Sequence, residues 1–370
     1  MNGPDLLLPA PVQAAPLPEV RNHTPHPSQY YQMMDVGDEV FHVIASRITY
    51  DLTRLDEQGA PPLAAVQAPL VEADEFYGDP TTSSCIQESD FAPYKPKCDI
   101  ILAHAVAYAP EGKPHQRWPV GIRIGEWQKM LAVTGARYVD RGLLGWKVTE
   151  PQKATQVPLR WELAYGGSCQ WPRHLKEDEE PEIFKAFEAN PLGTGWTDKA
   201  WLKKAQVADV DAPQIEVFDQ PFGTEEANAM AYPAVGVGPV GKWWTPRRQK
   251  AGTYDQAWKE SRWPRLPLDF DFGYWNAAPE DQQIDYPQGG EELVLAGLTP
   301  GQQVWRCKLP EPAIHAVLRM QIGPIVRLPM RLDTLVLDFK AGTLSCMYRI
   351  QVGAQFGARV LELRSGRAPI

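Results

Sequence analysis

Between residues 247 and 283 the chain reads RRQKAGTYDQAWKESRWPRLPLDFDFGYWNAAPEDQQ, which has neither the period of a helix nor the alternation of a strand. Gly252, Pro264, Pro267, Gly273 and Pro279 interrupt any regular element, so side chains rather than a ladder must hold this backbone. Disorder is a poor alternative. Tyr254, Trp258, Trp263, Phe270, Phe272, Tyr274 and Trp275 would each leave an apolar ring of about 150–250 Å² in water. The segment therefore reads as a long, ordered, packed loop, and long ordered loops are commonly functional.

Such a loop needs a rigid frame, and the rest of the chain offers strands. Val40–Leu52, Asp99–Tyr108, Val120–Ile124, Lys129–Arg137, Val157–Tyr165, Glu292–Ala296 and Gln303–Leu309 are β-branched and aromatic runs bounded by turn residues. Over Val326–Leu332 apolar and polar residues alternate, and Pro329 marks an edge strand. The phase flips after Asp333, which predicts a turn or bulge at Asp333-Thr334. Helices are predicted only at Glu182–Asn190, Thr197–Gln206 and Asp255–Ser261. This pattern, with 36 prolines and 29 glycines, predicts a mainly β fold: a large antiparallel, sandwich-like architecture with long ordered loops and a few short helices. Residues 1–34 read as an extended proline-rich arm, 35–352 as one elaborated β-rich domain, and 353–370 as a terminal strand or tail.

Charge and cysteine usage narrow the partners. A formal net charge of −9 disfavours nucleic acid and anionic membrane, and suits a basic protein better. The 5 cysteines, Cys85, Cys98, Cys169, Cys307 and Cys346, are odd in number and widely spaced, which points to a reducing cytoplasm rather than a disulfide framework. The amino terminus lacks the charged and apolar blocks of a secretory signal, and no run is long and apolar enough to cross a bilayer.

Catalytic signatures are sparse. Gly236-Val-Gly238-Pro-Val-Gly241 has the spacing of a dinucleotide loop, but Pro239 removes an amide and Trp243-Trp244-Thr245-Pro246 is no helix opening, so it reads as a plain glycine loop. Asp269 and Asp271 would face the same way on an extended segment, and a carboxylate pair among aromatic rings is what a glycoside hydrolase or lectin-like module would use. Turn and loop anchoring is the favoured reading of these acids. His23 and His26 are the only close histidine pair, whereas His42 and His104 fall within apolar strands. No metal, cofactor or catalytic group is expected. Clustered Trp243, Trp244, Trp258, Trp263, Tyr274 and Trp275 are the candidates for partner contact, since tryptophan commonly centres binding hot spots.

Longer strings carry a resemblance. They are Ala251-Gly252-Thr253-Tyr254-Asp255 with Trp258; Leu266-Pro267-Leu268-Asp269-Phe270-Asp271; and Asn276-Ala277-Ala278-Pro279-Glu280-Asp281-Gln282. Ser89 to Pro96 with Asp99, Ala164-Tyr165-Gly166-Gly167, and Asn190-Pro191-Leu192-Gly193-Thr194-Gly195 complete the set. Together they resemble a bacterial domain-of-unknown-function family that accompanies type VI secretion and serves as an adaptor, or chaperone, for effector loading. The resemblance implies a non-catalytic cytoplasmic protein that holds a toxin, by its amino-terminal region or spike-tip domain, and delivers it to the secretion spike. In such a protein Gly252, Thr253, Tyr254, Asp255, Asp269, Asp271, Asn276, Pro279, Gln282, Tyr165, Gly166, Gly167, Asn190, Pro191 and Gly193 are expected to pin irregular backbone rather than touch the partner.

Overall fold

The structure is a computed structural model and describes residues 17–142, 145–169, 185–198 and 209–366. The run at residue 40 forms the strand Val40–Asp51, in which branched side chains alternate between two buried faces. It lies in a six-stranded sheet whose order is Gln283–Ile284, Cys98–Ala103, Arg331–Asp338, Thr343–Gly353, Val40–Asp51, Ser28–Met34. A five-stranded antiparallel sheet runs Ile215–Val217, Trp127–Thr134, Arg117–Ile124, Glu292–Thr299, Gln302–Lys308. The third large sheet has four strands, Glu19–Asn22, Ala358–Ser365, Ile314–Met320 and Ile325–Pro329.

One apolar core joins all three. Ile44, Ile48 and Leu335 reach it from the six-stranded sheet, Val120 and Leu131 from the five-stranded, and Ala316, Leu318 and Leu361 from the four-stranded. Trp118, Trp161 and Trp244 fill it. A second cluster stacks Tyr165, Phe222 and Tyr232, with ring centroids 5.4–5.7 Å apart.

The other face of the six-stranded sheet is buried beneath loops and mixes a small apolar cluster, Ile101, Ala103, Val336 and Ala278, with charged and polar residues. Strand alternation turns Arg47, Asp99, Thr334 and Arg349 away from the core. Arg349 Nε donates to Asp333 at 2.6 Å, and its Nη1 donates to the carbonyls of Asp90 and Ala92, both at 2.8 Å. Arg47 pairs with Asp90 at 3.1 Å, and Lys95 with Asp99 at 2.8 Å. Burial acts to lower the Lys95 pKa, but Asp99 and Asp333 outweigh it and raise the value. These charges are paired because an unpaired one would be costly at such depth.

The fold is mainly β, with short helices and long loops as expected, and three features refine that reading. Cys98–Ala103 pairs parallel with Arg331–Asp338, and Glu19–Asn22 parallel with Ala358–Ser365, so the sheets are not purely antiparallel. The strand predicted over Asp99–Tyr108 breaks at His104, whose φ of 55° ends one strand before Val106–Tyr108 begins. Of Val157–Tyr165 only the two ends are strand, within Gln156–Pro158 and Tyr165–Gly166, because Pro158 has no N–H to extend the ladder and Trp161–Leu163 turns into the core.

Other expectations divide similarly. Val326–Leu332 is split at Met330 between two sheets, but Pro329 does lie in an edge strand and the register shifts between Leu332 and Thr334. Glu182–Asn190 is not helical where described, since Lys185–Ala186 is a short strand held by Ser168–Cys169. Most of Thr197–Gln206 lies outside the described residues. The helix Gln256–Ser261 forms, with Asp255 as its N-cap. Residues 17–34 hold two strands, Glu19–Asn22 and Ser28–Met34, separated by a bend at 24–26, and Ser28–Met34 is hydrogen-bonded to Val40–Asp51. Among the described residues no helix is long and apolar enough to cross a membrane.

Candidate functional site

The aromatic loop is built as a buried strut with an exposed rim. Its first anchor is Arg247, on the short helix Thr245–Arg248, which pairs with Glu88 and donates to the carbonyls of Tyr274 (2.7 Å) and Val240 (2.8 Å). The second is Asn276, whose Nδ2 reaches Lys97 O at 2.8 Å and Asp99 Oδ1 at 3.0 Å. The third is Gln282, whose Nε2 bridges the carbonyls of Ile100 (2.7 Å) and Val237 (3.0 Å). Pro279 precedes the helical turn Glu280–Gln282 and accepts Gln282 N through its carbonyl. Together these bonds tie a segment without its own ladder to the six-stranded sheet.

Short-range bonds shape the rest. Asp255 accepts from Trp258 N at 2.8 Å. Asp269 accepts from Thr253 N (3.0 Å) and Oγ1 (2.7 Å), and Asp271 from Gly273 N (2.7 Å). Leu268 and Asp269 occupy a turn rather than an extended segment, so strand geometry does not align the two carboxylates, and each serves a different backbone kink. Hydrogen bonds from Thr253 hold Asp269 below the ordinary carboxylate range, opposite to the shift a general acid needs. Gly252 has φ of +80°, and a Cβ there would stand 2.9 Å from Asp269.

The Tyr165 and Asn190 motifs meet at another junction. Asn190 Nδ2 donates to Trp161 O (2.9 Å) and Tyr165 O (3.1 Å), and Tyr165–Gly166 pairs with Thr194–Gly195. A Cβ on Gly166 would approach Asn190 O to 2.1 Å, and one on Gly193 would approach Ala164 O to 2.6 Å, so both must be glycine. Gly167 N donates to Asn190 O, and Pro191 lies in the turn between Asn190 and Gly193. The glycine loop at residue 236 is also a packing device, since a Cβ at Gly236 would meet the Trp161 ring and one at Gly241 the Trp244 ring.

The aromatic candidates separate by exposure. Trp244, at 2 %, is core, packed edge-on against Trp161 at 5.4 Å, so it is withdrawn as a contact residue: the tight turn at Gly241 directs its ring inward. Trp258, Tyr274 and Trp275 are half-buried, and Trp258 Nε1 donates to Arg265 O. Trp263 (63 %), Leu268 (71 %), Tyr254 and Trp243 are exposed.

Beside this rim lies an apolar cavity of about 320 Å³, lined by Met33, Met34, Phe41, Pro93, Tyr94 and Phe272 among others. Asp35, also in the lining, begins the turn to Glu39 that contains Asp38. Arg262 and Arg265 both donate to Asp38 Oδ2 at 2.9 Å, and Arg262 Nη2 to Val36 O at 2.9 Å. The aromatic rim is thus pinned to one end of the cavity. Sequence reasoning missed Met33 and Met34 because it placed residues 1–34 in an arm, and it took Phe41 only as part of the strand at Val40. The signal was present: SQYYQMM, a turn-forming DVGDE, then a strand is a hairpin pattern.

His23 and His26 do not come together as ligands: His26 is buried against Gln67, while His23 lies 3.9 Å from Glu362. His42 is buried with its Nδ1 on the Tyr30 hydroxyl, and His104 contacts Asp338 at 3.1 Å. Among the described residues no three His, Cys, Asp or Glu side chains are grouped to hold a metal.

Three sheets around one core, carrying long side-chain-anchored loops and an exposed apolar rim, define a mainly β protein. The chain belongs to the family described as "uncharacterized protein conserved in bacteria" (DUF2169), whose model matches residues 37–349. No curated protein and no solved structure matches it.

Proposed function

We propose that this protein is a non-catalytic adaptor that binds a type VI secretion effector and helps load it onto the secretion spike. The observation that carries the proposal is the rim of Tyr254, Trp263 and Leu268 beside the cavity of Met33, Met34, Phe41 and Phe272: exposed rings on a rigid frame next to an apolar recess. Exposed apolar side chains so placed are the usual anchors of a protein partner. The motif strings that resemble effector-loading adaptors give this partner its identity. The glycan reading finds no comparable support, because Asp269 and Asp271 are each committed to a separate turn.

The test is deletion of the gene in its own bacterium with complementation. Loss of one effector's delivery while the spike itself is still secreted, restored by the wild-type chain but not by Trp263→Ala/Leu268→Ala, is the expected result. Effector delivery that survives deletion would overturn the adaptor role. Full rescue by the double variant would remove the rim from the binding surface.

A further inference from the structure

The four-stranded sheet presents a face whose charge is opposite to that of the molecule. Cross-strand partners share a face, so the pairings Arg21 with Glu362, Glu362 with Val317, Val317 with Arg327, His315 with Arg364 and Arg319 with Ile325 place these side chains together. Glu362, only 1 % exposed, organises them. It accepts Arg319 Nε at 2.6 Å and Arg364 Nε at 3.0 Å, with Arg21 Nη1 at 3.9 Å. Arg21 also pairs with Glu19, beside which Arg359 stands at the bulge opposite Arg319–Met320. Five guanidinium groups, on Arg21, Arg319, Arg327, Arg359 and Arg364, thus face two carboxylates, Glu19 and Glu362. Arg327 is exposed and makes no ion pair among the described residues.

We propose that this face docks an acidic polypeptide segment that also carries apolar side chains. Charge complementarity selects the acid: a surplus of guanidinium forks, fixed by a buried carboxylate, is shaped to receive further carboxylates. The apolar component follows from Ile325, exposed on the same face, and Ile322, 93 % exposed in the adjoining hairpin turn. A polypeptide fits better than nucleic acid because a chain of net charge −9 repels a long polyanion beyond the edges of one local patch. This surface is distinct from the aromatic rim, and its test does not depend on the adaptor role.

The experiment is fluorescence anisotropy of a labelled glutamate-rich peptide containing leucine, titrated with the full chain at low and moderate salt. Binding that weakens with salt, and falls about tenfold or more in Arg327→Ala/Arg359→Ala, is expected. Ile325→Ser should weaken it further. Arg123→Ala/Arg306→Ala, on the five-stranded sheet, is the control and should leave it unchanged. Absence of peptide binding, an equal loss in the control pair, or tighter binding of a single-stranded DNA probe than of the peptide would each overturn the proposal.

Discussion

Asn276 and Asp99 lie 177 residues apart and share a 3.0 Å hydrogen bond, through which the aromatic loop is fastened to the six-stranded sheet. Asp99 also accepts from Ala277 N (2.9 Å), Ala278 N (3.2 Å) and Lys95 Nζ (2.8 Å). One buried carboxylate therefore closes a loop, a strand and a lysine into a single unit.

Asn276→Ala removes donors to Asp99 and to Lys97 O in a site closed to water. Leaving buried acceptors short of partners should cost about 2–3 kcal/mol. Urea unfolding of the variant checks this, and a midpoint equal to wild type would mean that the loop is held elsewhere.

The Arg349–Asp333 pair predicts a non-additive result. Arg349→Ala strands the Asp333 carboxylate and should cost about 3–5 kcal/mol, whereas Arg349→Met combined with Asp333→Leu should cost less than the summed single changes. A double-mutant cycle by denaturant unfolding measures the coupling. Additive losses would show that the two side chains act independently.

Glu362 predicts a pH dependence. Hydrogen bonds from Arg319 and Arg364 lower its pKa from 4.5 to about 2 in the folded state. The stabilisation is complete above the unfolded value and drains away as pH falls from 4.5 towards 2. The stability gap between wild type and Glu362→Gln should therefore narrow across that window. A gap that stays constant from pH 6 to pH 3 would contradict the assignment.

Two tryptophans of the candidate set should behave oppositely. Trp244→Ala empties a core position and should cost about 3–5 kcal/mol, while the exposed Trp263→Ala should change stability by less than about 0.5 kcal/mol. Thermal unfolding of both variants distinguishes them.

Strand periodicity made much of the frame legible. The runs at Val40, Val120 and Glu292 each became strands, and the phase flip at Asp333 became a bulge, because alternation follows directly from which face is buried. Parallel pairing was hidden, since the partners of Cys98–Ala103 and Glu19–Asn22 lie far along the chain and leave no local mark. His104 shows the limit of pattern reading: nothing in an apolar run announces a positive φ. At the site, composition identified the aromatic cluster, yet Trp243 and Trp244 are adjacent in sequence and opposite in exposure, a distinction made by the turn at Gly241. The cavity required knowing that Ser28–Met34 folds back on Val40–Asp51.

Val40–Asp51 finds its long antiparallel neighbour only in Thr343–Gly353, roughly three hundred residues downstream. During synthesis this strand therefore emerges early and waits, with one hydrogen-bonding edge vacant, until Thr343–Gly353 has also been made. Its β-branched sequence would then be vulnerable to pairing with other nascent chains. Truncation ahead of Thr343 should send the product to aggregates instead of yielding a shorter working protein, so a nonsense mutation there would act as a null allele.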